Sequence, residues 1–64
     1  MKNYNQKLDR STVRLLANRK QNTVIVLINL SNSNTMGVYE SYEQAVTAYE
    51  SAPFPAHLAV ANKG

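Results

Sequence analysis

The chain has 64 residues, no cysteine and a formal net charge of +3 at pH 7. This length allows one small domain with a modest core, and the lack of cysteine excludes disulfides and thiolate metal ligands. The longest apolar run, residues 24–28, is too short to cross a bilayer, and residues 1–10 lack the apolar segment of a signal peptide. We therefore expect a cytoplasmic protein that has no membrane partner.

The charges are distributed unevenly along the chain. The cations concentrate in the first part of the sequence, at Lys2, Lys7, Arg10, Arg14, Arg19 and Lys20. Residues 21–39 carry no charge, and the glutamates Glu40, Glu43 and Glu50 follow. A basic end of this kind attracts phosphates or an acidic protein surface, although a solvated flank that only aids solubility shows the same pattern.

Residues 1–10 are polar without an apolar period, and we expect them to form a flexible basic arm ahead of a domain over residues 11–61. Residues 11–18 have two interpretations. As a strand, they would pair through a loop at residues 19–22 with a second strand, and Asn22 would take the left-handed conformation that the loop needs. As a helix from about Asp9, they would place Leu8, Thr12, Leu15 and Leu16 on one side. The hairpin is favoured.

Residues 23–30, TVIVLINL, are rich in β-branched side chains and apolar on both faces, which predicts the central strand of a sheet. The short polar side chains of residues 31–34 predict a turn, and a third strand follows over about residues 35–40. Alternation in residues 56–61 is compatible with a fourth, edge strand or with a tail that only covers the core. Residues 62–64 are expected to be a tail.

Residues 41–52 predict a helix with defined ends. Ser41 is a good N-cap with Gln44 three residues later, and Pro53 ends the helix. One apolar stripe recurs at helical spacing, formed by Tyr42, Ala45, Ala48, Tyr49 and Ala52. The predicted fold class is therefore α+β, with a three- or four-stranded antiparallel sheet and one helix packed on one face.

The side chains needed for catalysis are sparse. His57 is the single histidine, no GxxxxGK pattern exists, and the serines and threonines have no neighbouring base that would activate a nucleophile. Without cysteine and with one histidine, a zinc site has too few ligands. We therefore expect a protein that is not an enzyme and that uses neither a cofactor nor a metal.

The segment MGVYESYEQAVTAYESA, residues 36–52, resembles the last strand and the helix of the AP2-type DNA-binding domain, which also occurs at the start of some phage integrases. The matching positions are Met36, Gly37, Tyr39, Ser41, Glu43, Gln44, Ala45, Ala48, Tyr49 and Ala52. The resemblance implies a three-stranded sheet that is backed by one helix and contacts the DNA major groove through its exposed face. It also aligns Val13 and Arg14 with the Val-Arg pair of that family's first strand. The family's second strand carries tryptophan and arginine, which TVIVLIN lacks.

The exposed face of the predicted sheet suggests two partners. Cations and short polar groups for DNA are predicted at Arg14, Asn18, Arg19 and Lys20. Large apolar groups on the same face instead favour a protein partner or a homodimer, through Leu16, Ile25, Leu27 and Tyr39. A small phage inhibitor of bacterial RNA polymerase is similar in plan to residues 36–61. We expect a regulatory protein of a phage or mobile element that binds DNA, or alternatively a host protein such as RNA polymerase.

Overall fold

The computed structural model describes residue 5 and residues 7–63. Five elements follow one another in the order α-β-β-α-β, so the α+β class is confirmed. They are α1 (Arg10–Ala17), β1 (Thr23–Asn29), β2 (Asn34–Tyr39), α2 (Tyr42–Ser51) and β3 (Ala56–Asn62).

The three strands form one antiparallel sheet in the order β2-β1-β3, with β1 in the centre as predicted. The C-terminal segment pairs with β1 along its full length, so it supplies the third strand rather than a fourth. Between β1 and β2 the register shifts at Leu27/Ile28, and Met36 is the extra residue on β2.

Residues 10–17 form a helix, so the strand predicted over residues 11–18 is wrong, and so is the alignment of Val13 and Arg14 with a first strand. The side chain of Asp9 accepts a hydrogen bond from the Thr12 backbone N–H at 2.8 Å and caps the helix. Asn22 does adopt a left-handed conformation, with φ 70°, but the turn that it forms joins a helix to β1.

The second helix has the ends that its sequence predicts. Ser41 Oγ accepts a hydrogen bond from the Gln44 N–H, and the chain leaves the helix at Ala52, immediately before Pro53. Ala45 and Tyr49 are buried, and the rest of the predicted stripe packs around them. Small alanine side chains let the helix approach the sheet closely, while tyrosine rings fill the margins.

Both helices contribute to a single core on one face of the sheet. Leu16 of α1 and Ala45 of α2 are fully buried in it. The cluster is completed by Ile25, Leu27, Tyr49, Ala56 and Leu58. The sequence predicted one helix on this face, and the structure has two.

The N-terminal segment is attached to the domain through Asn5. Its amide nitrogen donates to the carbonyls of Tyr49 at 2.7 Å and Phe54 at 3.2 Å, and its amide oxygen accepts from the Ala56 N–H at 2.7 Å. Leu8 also packs against the core. The predicted flexible arm is therefore wrong for these positions, whereas residues 1–4 and 6 lie outside the described residues.

Substituting Asn5 with alanine should destabilise the domain. Its amide bonds backbone groups where α2 ends and β3 begins, and the substitution removes three partly buried hydrogen bonds. We expect a loss of about 1–3 kcal/mol of unfolding free energy, measured by urea denaturation. Gln21→Ala, at an exposed turn position, is the control, and an equal effect of both variants would contradict the role of Asn5.

The cap at Asp9 should make stability depend on pH. Hydrogen bonding by Thr12 lowers the pKa of the Asp9 carboxyl, so its stabilising contribution is present above the unfolded pKa of about 3.9 and is lost as the pH falls through the lowered folded value. Asp9→Asn keeps a good cap that does not titrate. Urea titrations should show that the unfolding free energy falls more between pH 7 and about pH 2.5 for the native chain than for Asp9→Asn. Equal falls in the two proteins would exclude this linkage.

Candidate functional site

The residues predicted to contact DNA do not lie on a sheet face. Arg14 is in the last turn of α1, Asn18 is its C-cap, and Arg19 and Lys20 belong to the connection to β1. The prediction placed them on an outer sheet surface because it assigned a strand to residues 11–18. They lie instead in the C-terminal part of α1 and in the connection that follows it.

Arg19 is engaged in the fold. Its guanidinium donates to the Leu16 carbonyl at 3.2 Å and to the Glu40 carbonyl, and it links the end of α1 to the junction between β2 and α2. Its Nε is buried without a partner among the described residues. Arg19 is thus half-buried and committed to backbone carbonyls, which makes it a poor candidate for a phosphate contact.

A different set of cations forms a continuous exposed surface. Arg10 and Arg14 are four residues apart on one side of α1, and Lys7 lies just before the N-cap Asp9. They line one shallow depression together with Leu8 and Val13. We call Lys7, Arg10 and Arg14 the basic surface.

No side chain of the basic surface forms an ion pair in the part of the chain that the structure describes. The ion pair found there joins Lys63 Nζ to Glu40 Oε1 at 2.9 Å, at the end of the sheet where β1 begins. That contact and the charge of Lys63 lower the pKa of Glu40. The nearest acid in sequence, Asp9, accepts a hydrogen bond from the Thr12 N–H and lies beside Lys7 in a second depression. With three cations and this one carboxylate, the region keeps a net positive charge.

The residues predicted as a protein interface are mostly core residues. Leu16 and Ile25 are 0% exposed and Leu27 is 4% exposed. Tyr39 is half-buried, and its ring lies against Gly37, where an added Cβ would be 2.6 Å from the Tyr39 hydroxyl. The predicted interface is wrong for Leu16, Ile25 and Leu27, because the helices cover the sheet face that the prediction left exposed.

The face left uncovered is the other side of the sheet. Register places Val38, Val26 and Ala59 in one row across it, Val24 beside Ala61, and Ile28 between Thr35 and His57. Val24, Val26 and Ile28 are apolar and lie outside the core cluster, although Val24 is 9% exposed and the other two are half-buried. We call this surface the open face, and define it by Val24, Val26, Ile28, Thr35, Val38, His57, Ala59 and Ala61.

The open face is mostly apolar, and Thr35 and His57 are its polar members. Its members include no aspartate, glutamate, lysine or arginine. Val38 is 59% exposed, and the neighbouring bulge residue Met36 is 47% exposed. Contiguous exposed apolar surface of this kind usually marks an interface. The sequence contained the signal in the alternate valines of β1, but it did not show which face the helices take.

Other surface features are less distinctive. A shallow groove beside α2 is lined by Tyr39, Glu43, Gln44, Thr47, Ala48 and Ser51. Within the described residues, no group of His, Cys, Asp or Glu side chains is arranged to hold a metal ion. No helix among these residues is long and apolar enough to cross a membrane.

Comparison with protein-family models, with curated proteins and with solved structures found no match.

Aspartate should have opposite effects on folding at Leu27 and at Val38, which lie on the two faces of the sheet. Leu27→Asp places a charge in the core and should unfold the domain, because an unpaired buried charge costs several kcal/mol and small domains have little stability to lose. Val38→Asp lies on the open face and should leave a folded chain. Circular dichroism with thermal melting tests both, and a folded Leu27→Asp variant would contradict the assignment of the faces.

Proposed function

We propose that this chain is a small non-enzymatic regulatory protein that binds nucleic acid, with double-stranded DNA as the expected form. The observation that carries the proposal is the basic surface, where Lys7, Arg10 and Arg14 are exposed around one depression and form no ion pair among the described residues. DNA affinity depends mainly on neutralising phosphates, for which aligned lysines and arginines are suited.

The arrangement favours backbone contact over base recognition. The exposed polar side chains near the basic surface are Ser11 and Asn18, with Gln21 in the turn that follows. These offer few of the paired hydrogen bonds by which proteins distinguish bases. We therefore propose binding with weak sequence preference.

This proposal differs from the sheet-to-major-groove mode that the resemblance of residues 36–52 implies. The open face has no cation with which to hold phosphates, so α1 is the better candidate for the contact. Lys20 is exposed and extends the positive potential beyond the end of α1. Arg14 has a second, purely structural use, because a cation in the last turn stabilises a helix through its dipole.

A protein partner is the alternative function, and the open face is the observation that favours it. The originally predicted residues do not support that function, because Leu16, Ile25 and Leu27 are buried. Any protein contact is better assigned to the opposite side of the sheet.

The proposal is tested by fluorescence anisotropy of a labelled duplex at two salt concentrations. Three phosphate contacts predict a slope of about −2.7 for log affinity against log salt. The double variant Arg10→Gln and Arg14→Gln should weaken binding about tenfold or more at low salt and reduce the slope by about 1.8.

The matched control carries the same change in net charge elsewhere. Lys63→Gln combined with Gln44→Glu removes one positive charge just after β3 and adds one negative charge on α2. We expect less than about a threefold loss of affinity from this control, since long-range effects are screened. Equal losses in both variants would show that net charge alone is responsible, and a native chain that does not bind at low salt would refute the proposal.

A further inference from the structure

We infer that His57 is a proton-dependent part of the DNA contact, which in its cationic form extends the basic surface and strengthens the binding of phosphates. This inference rests on the proposed function, because it adds a residue to the same contact. His57 is the single histidine of the chain. Histidine is the side chain whose ordinary pKa, about 6.5, lies between pH 5 and 8, so its charge changes within that range.

His57 lines a second depression, which adjoins the basic surface. The two depressions share Lys7 and Leu8, so they are contiguous on the molecule. His57 is exposed on β3, and because β3 is an edge strand, one residue can border both the open face and this depression. A phosphate backbone that is held by Lys7 therefore passes close to His57.

The titratable groups around His57 come from each element that lines the second depression. Lys7, in the segment before α1, is exposed and cationic. Asp9 is the N-cap of α1, and hydrogen bonding by Thr12 lowers the pKa of its carboxyl, so Asp9 is ionised throughout the histidine range. On α2, burial raises the pKa of Tyr49, whose hydroxyl therefore stays protonated in that range. Among the described residues that line this depression, His57 is thus the one whose charge changes.

Protonation of His57 changes the local balance of charge. With a neutral imidazole, the second depression has one cation, Lys7, and one carboxylate, Asp9, whose charges cancel. One added proton makes this depression positive, next to Arg10 and Arg14 of the first. The gain does not depend on whether the imidazolium bonds a phosphate or Asp9, because either arrangement adds one positive charge to the region that the phosphates face.

DNA binding and proton uptake are linked by this arrangement. The protonated chain should bind DNA about three- to tenfold more tightly than the neutral form, as expected for one added cation at the contact. Binding must in return favour protonation. Near pH 6.5 the chain should therefore take up about 0.3–0.5 proton as it binds. The added charge should also steepen the slope of log affinity against log salt by up to about 0.9.

Fluorescence anisotropy of a labelled duplex at about pH 5.5 and about pH 7.5 is the test, because these values lie on either side of the histidine range. The native chain should bind about three- to tenfold more tightly at the lower pH. His57→Gln stays neutral and should change by less than about twofold, since the other side chains do not titrate in this window. His57→Lys stays charged, and at the higher pH it should match the native chain at the lower pH.

Thr47→Lys is the matched control for added charge. Thr47 is exposed on α2 and lines a groove that shares no residue with either depression. At the higher pH this variant should gain less than about twofold in affinity, since charges away from the contact are screened. Circular dichroism should show that all three variants fold, because Thr47 and His57 are both exposed.

Titration calorimetry in two buffers of different ionisation enthalpy measures the proton uptake directly. The native chain should take up protons on binding DNA near pH 6.5, and His57→Gln should not. An equal pH dependence in the native chain and His57→Gln, or no advantage of His57→Lys over Thr47→Lys, overturns this inference and leaves the proposed function intact. A native chain that binds no DNA at either pH overturns both.

Discussion

The rest of this structure depends on β1, a central strand that is apolar on both faces. The two helices of the chain cover only one of these faces. The covered side takes the larger groups, because Ile25 and Leu27 lie in register with Val60 and Leu58. On the other side, Val26 and Val24 lie beside Ala59 and Ala61. Burying the larger side chains removes more apolar area from water, so the helices pack where the sheet offers most. The smaller side chains lie outside the core cluster and form the centre of the open face.

The elements with local end signals could be predicted from the sequence. Ser41, Gln44 and Pro53 mark the ends of α2, and its alanine stripe indicates which side packs. Helix α1 was harder to predict, because its residues fit two patterns. Val13, Leu15 and Ala17 alternate as in a strand, whereas Leu8, Thr12 and Leu16 recur as in a helix. The deciding signal was local, since Asp9 accepts from the Thr12 N–H and caps the helix. A short segment that satisfies both periods is assigned by its cap and by its tertiary partners.

The face of the sheet could not be predicted from β1 alone, because both sides of that strand are apolar. The discriminating residues lie on β3, where Leu58 and Val60 alternate with Ala59 and Ala61. Their information becomes usable once β3 is known to pair with β1. The basic character of the N-terminal region was evident from composition, but its geometry was not. Arg19, which is prominent in the sequence, bonds backbone carbonyls, whereas Lys7 and Arg10 form the surface.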